Sequence, residues 1–391
     1  MRGVDTGSGS PSSKRLCAPV PGLLALLALA LVLGGCVSAE SREATRLLRD
    51  IDAAGDPSTL KALTPAPRRS TERYAVDGRG NVADFYDPQQ PLGATLVLVP
   101  GFTPEGKDDP RVVELARSLA RARFLVMVPE VPGSRAQRVR LEDAETIADA
   151  VRHLQRSRPE AADGGVGVVA ISYAVGLAVL AGRELAGETP PDFLVGIGGY
   201  YDTRAVVTFA TTGKYRLPGS RQWLDGRPLA AAKWIFLASN AAVLENAADR
   251  RRLEALGERC FDGCDPDREA LARELGPEGR SLLALVTNAE PARVPALVAA
   301  LPLAVQQQMA QLSLENYDLS PFAGRLILVH GKLDPLIPYS ESIALSRAVP
   351  GSELFLIDGF SHITPRVVGF AGQLQLIDAI QAVLRRRAAA P

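Results

Sequence analysis

Short apolar runs alternate with segments of helical period from residue 94 onward. Six runs are almost continuously apolar and short enough to be strands: Ala94–Val99, Phe124–Pro129, Val166–Ile171, Phe193–Ile197, 326–329 and 354–357. Between most of them lie segments, such as 110–122 and 142–156, whose apolar positions recur at helical spacing. Strands that are apolar on both faces and alternate with helices are typical of a parallel sheet covered by helices on both sides.

A hairpin is predicted ahead of these six strands. Residues 73–76 and 82–86 flank Asp77-Gly78, a dipeptide that favours a tight turn between two strands. Adding this pair to the six later strands predicts an α/β fold with a mostly parallel, eight-stranded sheet and helices on both faces.

The alternation stops after the sixth strand and resumes near residue 322. The intervening sequence, 203–321, is rich in Ala, Leu and Arg, with helical stretches at 228–247, 268–275 and 294–312. It also contains both tryptophans, Trp223 and Trp234, which either line an apolar pocket or pack between helices. We therefore expect a core built from 70–202 and 322–391 that carries a helical insertion at 203–321.

The first 35 residues indicate a targeting segment. A polar start ends in Lys14-Arg15, and an apolar run over 20–33 follows, which suits a signal peptide better than a membrane span of ~20 residues. The segment closes with Leu33-Gly34-Gly35-Cys36. This resembles the lipobox of bacterial lipoproteins, and the resemblance implies cleavage before Cys36 and lipidation of its thiol. An uncleaved N-terminal anchor is the alternative.

The lipobox resemblance also implies a location. Val37 is not the aspartate that often retains such lipoproteins at the inner membrane. We therefore expect the protein in the bacterial cell envelope, attached through Cys36 to the outer membrane and facing the periplasm. Residues 36–69 are polar and punctuated by proline, so we interpret them as a tether that contains one short helix over 42–51.

Charge and cysteine content exclude several classes of function. The chain has 44 basic and 44 acidic residues and no basic stripe with interleaved aromatic residues, which argues against a nucleic-acid partner. Cys260 and Cys264 have no further cysteine or histidine near them in sequence, so they do not make up a zinc site. We expect a small disulfide loop in an exported protein, or otherwise two free thiols.

The run Val166–Ile171 ends at Ser172, and small apolar residues typical of a buried helix follow. A strand that turns this sharply into a helix exposes the serine hydroxyl, and only small residues fit two positions before and after it. Here those positions are Ala170 and Ala174. The segment resembles the nucleophile elbow of the α/β-hydrolase family, with alanine in place of both usual glycines; a core strand entering a helix capped by Ser172 is the alternative.

Only three histidines are candidates for the base that a serine nucleophile requires. His153 lies among polar residues of a helix and is expected at the surface. His330 ends a strand in the segment Val329-His330-Gly331-Lys332-Leu333-Asp334-Pro335, and His362 follows the last strand in Asp358-Gly359-Phe360-Ser361-His362. They resemble the acid and base loops of the family, which makes Asp334 the acid and His362 the base, in the family order of serine, acid, histidine. His330 is then structural, and Asp202, after the sixth strand, is the competing acid.

Acyl transfer also needs donors for an oxyanion. The resemblance assigns the first donor to the amide of Tyr173, directly after the nucleophile, and the second to Phe102 in Pro100-Gly101-Phe102-Thr103. Because the sequence has Pro-Gly where the family commonly has His-Gly, Thr103 stays open as an alternative donor.

The resemblance implies a serine hydrolase of ester, thioester or related acyl bonds that acts on a small acyl substrate without metal or cofactor. Two alternatives remain at this level. One is a peptidase or amidase on the same fold, and the other is a non-catalytic, lipid-anchored binding or scaffold protein, which the missing elbow glycines favour. The acyl substrate and the oligomeric state cannot be derived from the residues.

Overall fold

The computed structural model describes residues 38–158, 165–264, 266–362 and 368–388. Cys36, Val37 and the whole expected signal peptide lie outside these residues. No helix within the described ranges is both long and apolar enough to cross a membrane.

The eight predicted strands form one sheet. The strands are β1 Arg68–Val76, β2 Arg79–Asp87, β3 Ala94–Val99, β4 Phe124–Pro129, β5 Val166–Ile171, β6 Phe193–Ile197, β9 Leu326–Gly331 and β10 Glu353–Ile357. Their spatial order is β1-β2-β4-β3-β5-β6-β9-β10. Only β2 runs antiparallel to its neighbours, and all the other pairs are parallel. The hairpin β1-β2 turns at Asp77-Gly78, as its sequence predicts, although its strands are longer than expected.

Helices cover both faces of the sheet, because the central strands are apolar on both sides. The helices of the core are α1 Ala39–Ala53, α2 Thr59–Leu63, α3 Pro110–Arg121, α4 Pro132–Ala136, α5 Asp143–Ser157, α6 Ala174–Glu184, α14 Ser340–Ala348 and α15 Phe370–Ala388. One face packs against α5, α6 and α14, and the other against α1, α3 and α15.

The segment expected to be a tether is part of the domain. Ala44 and Leu47 of α1 are buried against α3 and α15. Asp50 of the same helix is buried as well and accepts a hydrogen bond from Ser118 Oγ of α3 at 2.7 Å, with Lys61 Nζ 3.1 Å from its other oxygen. The sequence does not predict this docking, because α1 is mostly polar and is held by only a few apolar residues and one buried, paired aspartate.

The insertion at 203–321 forms its own small hydrophobic core. Its elements are α7 Thr203–Thr212, β7 Lys214–Tyr215, β8 Leu224–Asp225, α8 Ala230–Ala241, α9 Ala247–Arg259, α10 Arg268–Glu274, α11 Pro277–Val286, α12 Val294–Ala299 and α13 Leu303–Leu312. Trp234 lies in this core and is 1% exposed. The single helix expected over 294–312 is two helices, since the chain is interrupted at Pro302.

The insertion is hydrogen-bonded to the core at the edge where the parallel strands end. The Leu229 amide donates to Pro335 O at 2.8 Å, and the Val139 amide donates to Ser239 Oγ at 3.0 Å. We call residues 203–321 the cap.

Candidate active site

Ser172 occupies a sharp turn between β5 and α6. Its φ of 61° is in the left-handed region, which costs an L-residue about 1–2 kcal/mol. The turn is held in place because the Ser172 amide donates to Ile197 O at 2.7 Å and its carbonyl accepts from the Val175 amide at 3.1 Å. Strain that is held by surrounding structure is common at functional sites. This geometry differs from an ordinary N-cap, whose backbone is extended.

The residues two positions from Ser172 are fully buried. Ala170 and Ala174 are each 0% exposed, so methyl groups fit where the family usually has glycine. Gly101 lies on the other side of the serine, and a Cβ added there would lie 3.4 Å from Ser172 Cβ. Small residues therefore surround the turn, and Ser172 itself is 7% exposed.

Asp334 follows β9 and is buried, at 6% exposure. Its Oδ1 accepts hydrogen bonds from the amides of Leu336 and Ile337, at 2.8 and 3.0 Å, which fixes the carboxylate plane. Its Oδ2 lies 2.6 Å from His362 Nδ1. Burial alone would raise the pKa of Asp334, but hydrogen bonds from His330 and His362 lower that pKa well below its ordinary value. Asp334 is therefore an ionised hydrogen-bond acceptor at neutral pH.

The Asp334 contact sets the protonation of the His362 ring. A carboxylate only accepts, so Nδ1 carries the proton, and in the neutral ring Nε2 is left as a proton acceptor. The side chain of His362 is 13% exposed at the carboxyl edge of the sheet. His362 is thus oriented as a general base with its acceptor nitrogen directed away from Asp334.

Ser172 does not hydrogen-bond to His362 in this structure, and its hydroxyl has no hydrogen-bond partner among the described residues. The two side chains are related through the end of β6, where Ile197 O holds the Ser172 amide. The next residue, Gly198, has a φ of 63°, and a Cβ there would lie 3.2 Å from Asp334 Oδ2 and 3.3 Å from His362 Cε1. The structure therefore places all three residues at one edge of the sheet. Bonds between nucleophile and base are often long in enzymes without substrate.

His330 supports the acid. The ring is fully buried, with Nε2 3.0 Å from Ile337 O and 3.4 Å from Asp334 Oδ2. Because both of these oxygens accept, Nε2 carries a proton, and Nδ1 accepts from Ser342 Oγ at 2.7 Å in the neutral ring. No pattern in the sequence indicates this contact between His330 and Ser342.

Asp202, the competing acid, has a different role. Its Oδ1 accepts from the Arg204 amide at 2.8 Å, and this caps helix α7. It also lies 3.4 Å from Ser313 Oγ. The carboxylate of Asp202 makes no contact with His362 in the part of the chain described.

Tyr173 directly follows the serine, and Phe102 follows Gly101, which lies against Ser172. The rings of Tyr173 and Phe102 stack with centroids 3.8 Å apart, which ties the turn after β3 to the start of α6. The Thr103 amide donates to Ser134 O at 3.2 Å and is not free for another acceptor, whereas no described residue accepts from the Phe102 amide. Phe102 is thus the better placed of the two alternative donors.

The remaining residues singled out by sequence lie away from this edge. Cys260 and Cys264 are joined by a disulfide in the cap. His153 is not fully at the surface, because it stacks on Tyr74 with centroids 4.3 Å apart. Within the described ranges, no three His, Cys, Asp or Glu side chains are arranged to hold a metal ion.

Comparison with known proteins bears on the fold. No protein-family model and no curated protein matches the sequence. A proposed hydrolase from Legionella pneumophila has a similar structure, with 15% identity, a TM-score of 0.54, and coverage of 83% of this chain and 90% of that one. This chain has the α/β-hydrolase fold. The eight-strand order and the position of the cap after β6 agree with that assignment.

More distant similarity extends to esterases. A thermostable carboxylesterase from a metagenomic library shares 13% identity at a TM-score of 0.45, covering 89% of this chain and 98% of that one. An esterase from the archaeon Pyrobaculum calidifontis shares 14% identity at a TM-score of 0.47 and covers 89% of each chain. These α/β-hydrolase structures are too distant to indicate a substrate.

Proposed function

We propose that this protein is a serine hydrolase that cleaves ester, thioester or related acyl bonds. The observation that supports the proposal best is the 2.6 Å contact between Asp334 Oδ2 and His362 Nδ1, at the sheet edge that also presents Ser172. An aspartate-oriented histidine is the base that a serine hydroxyl requires at neutral pH.

The proposed reaction proceeds through an acyl-enzyme. Ser172 Oγ attacks the acyl carbon while its proton passes to His362 Nε2, and Asp334 stabilises the positive imidazolium. The amides of Tyr173 and Phe102 bind the oxyanion, and the dipole of α6 adds to the field at Tyr173. The bond to the leaving group then breaks, and His362 returns the proton to that group. Water hydrolyses the acyl-serine by the same steps in reverse.

The test is labelling of a fragment that begins after Cys36 with a fluorophosphonate, which reacts with activated serines. We expect the parent fragment to be labelled and the Ser172→Ala fragment not to be. Equal labelling of both would place the reactive serine elsewhere. Absence of labelling in a folded fragment would favour the second candidate, a non-catalytic binding or scaffold protein, which the low exposure of Ser172 supports.

A peptidase or amidase would use the same three side chains, and only the substrate separates it from an esterase. Ester and amide versions of one chromogenic acyl group distinguish these activities.

We also propose that the protein is anchored by a lipid on Cys36 in the bacterial cell envelope, facing the periplasm. Support comes from the Leu33-Gly34-Gly35-Cys36 sequence and from the disulfide in the cap, which forms in oxidising compartments. Because α1 begins at Ala39 and packs on the domain, the domain would sit close to the membrane. Metabolic labelling with a fatty acid should be lost on Cys36→Ser.

A further inference from the structure

A cavity of about 230 Å³ lies where the cap meets the core. Its lining includes three cationic residues, Arg204, Lys214 and Arg216, and one carboxylate residue, Asp202. The residues that line it do not include Ser172, Asp334 or His362. The proposed reaction therefore leaves the chemistry of this cavity unused.

Two of the three cations are neutralised by carboxylates. Arg204 Nη2 lies 2.8 Å from Glu315 Oε1, and its Nε lies 3.7 Å from Asp202 Oδ1. Lys214 Nζ is paired with Asp225 across the short β7-β8 hairpin. These two side chains shape the wall but carry little uncompensated charge.

Arg216 is different, because among the described residues no carboxylate lies within ion-pair distance of it. Its guanidinium carbon lies 3.6 Å from the centre of the Trp223 ring, which also lines the cavity. Stacking on an indole orients the guanidinium plane and leaves its N–H edge available. An Arg edge presented in this way matches a carboxylate bidentately.

Ser340 lies on the opposite, core side of the cavity. The residue is only 2% exposed, and its hydroxyl has no hydrogen-bond partner among the described residues. The hydroxyl oxygen itself is not fully enclosed, so it opens onto the cavity. It is therefore available to donate a hydrogen bond to a ligand bound there.

The cavity adjoins the candidate active site through two segments. Ser340 begins α14, directly after the loop that carries Asp334, and the cap is hydrogen-bonded to that loop through Leu229 and Pro335. On the other side, Gly198 and Asp202 both follow β6, and Gly198 lies beside the Asp334 and His362 side chains. The cavity thus lies along the cap-core boundary on the edge where acyl transfer is proposed.

We propose that this cavity binds a free carboxylate of the substrate, so that the enzyme prefers acyl esters that carry a second, unesterified carboxyl group. This inference rests on the proposed hydrolase function and specifies its substrate class. Arg216 pairs with the carboxylate and Ser340 donates a further hydrogen bond. Among the described residues, Arg216 is the one cation of this wall without a carboxylate within ion-pair distance, and a single guanidinium suits a monoanion better than a phosphate dianion.

A binding assay tests the cavity without turnover. The chain has two tryptophans, of which Trp223 lines the cavity and Trp234 is buried in the cap core, so a change in intrinsic fluorescence on ligand binding reports mainly on Trp223. The Ser172→Ala protein is titrated with hexanoate, with 1-hexanol as the uncharged match and hexyl phosphate as the dianion. We expect a saturable change with hexanoate and none with hexanol. Arg216→Gln should weaken hexanoate binding about 10- to 100-fold.

A kinetic assay tests the substrate class in the active protein. The p-nitrophenyl monoester of adipic acid is compared with p-nitrophenyl hexanoate, which has the same chain length without the charge. We expect kcat/KM to be at least tenfold higher for the adipate ester, and Arg216→Gln to reduce that ratio to near one. Arg221→Gln is the matched control, because Arg221 is exposed in the same segment and does not line the cavity. It should leave the ratio unchanged.

The outcomes separate the two levels of the proposal. If both esters are hydrolysed equally and hexanoate does not bind, the carboxylate site is refuted while the hydrolase function stands. Tighter binding of hexyl phosphate than of hexanoate would also refute it. If Ser172 is neither labelled nor active, the hydrolase function fails, and the fluorescence titration alone decides whether the cavity binds a carboxylate.

Discussion

Replacing Asp334 by asparagine should invert the protonation of His362. The side-chain oxygen of Asn can still accept from the amides of Leu336 and Ile337, which places the NH₂ group where Oδ2 now lies. That position faces proton donors from both His330 and His362. An NH₂ group cannot accept, so His362 is driven to the tautomer with its proton on Nε2. In that form it cannot take the proton of Ser172.

The size of the effect follows from the loss of the base. In serine-protease triads the same inversion lowers kcat by about 10⁴-fold, which is about 5 kcal/mol in activation free energy. We expect a similar fall in the second-order rate of fluorophosphonate labelling at pH 7 for Asp334→Asn. Circular dichroism and urea unfolding would show that the variant is folded at the assay temperature.

Asp202→Asn is the matched control. Asp202 follows β6 and is the competing acid that the sequence suggests, but in the structure its carboxylate caps a helix. Its labelling rate should stay within about threefold of the parent, because an Asn N-cap costs a helix little. Loss of labelling in Asp202→Asn together with near-normal labelling in Asp334→Asn would refute the assignment of the acid.

Three further predictions concern stability. Ser172→Gly should be about 0.5–1 kcal/mol more stable than Ser172→Ala in urea unfolding, because glycine tolerates the φ of 61°; equal stability would mean that the turn is unstrained. Asp50→Ala should lower the free energy of unfolding by about 3 kcal/mol, because Ser118 and Lys61 lose a buried carboxylate as their partner. It should also make residues 39–63 sensitive to limited proteolysis, and an unchanged digestion pattern would contradict the docking of α1. Burial raises the pKa of Glu341 to about 8 in the native state, above its unfolded value, so between these values the native state binds more protons than the unfolded state. The free energy of unfolding should therefore fall as pH rises from about 4.5 to 8. In urea unfolding, the free energy of unfolding of Glu341→Gln should fall less steeply with pH than that of the parent, by up to about 1.4 kcal/mol per pH unit. Equal slopes in the two proteins would refute the prediction.

The sheet was predictable because its signal is local. The runs at Ala94–Val99, Phe124–Pro129, Val166–Ile171 and Phe193–Ile197 coincide with β3 to β6 in the structure. Buried parallel strands are continuously apolar, so their ends stand out wherever polar or glycine residues begin. The fold class followed from the order of these strands.

Contacts between distant segments were not predictable. The docking of α1 depends on Asp50 meeting Ser118, which lies on a different helix. The choice between Phe102 and Thr103 depends on a single bond from the Thr103 amide to Ser134 O. Neither relation leaves a pattern along the chain.

The cap shows the same limit. The sequence indicates that both tryptophans lie in one helical insertion, but it does not indicate which of them is buried between helices and which lines a pocket. The structure buries Trp234 among cap helices and puts Trp223 beside Arg216 in the cavity. The β7-β8 hairpin that presents Arg216 has strands of only two residues each, too short for any periodicity.

The central claim is that Ser172 forms a covalent acyl intermediate. The most direct measurement is mass spectrometry of the protein mixed with p-nitrophenyl hexanoate and quenched in acid during turnover, followed by peptide mapping. The account predicts a hexanoyl adduct on the peptide that contains Ser172, absent in Ser172→Ala. Turnover without an adduct on that peptide, or an adduct that persists in Ser172→Ala, would contradict it.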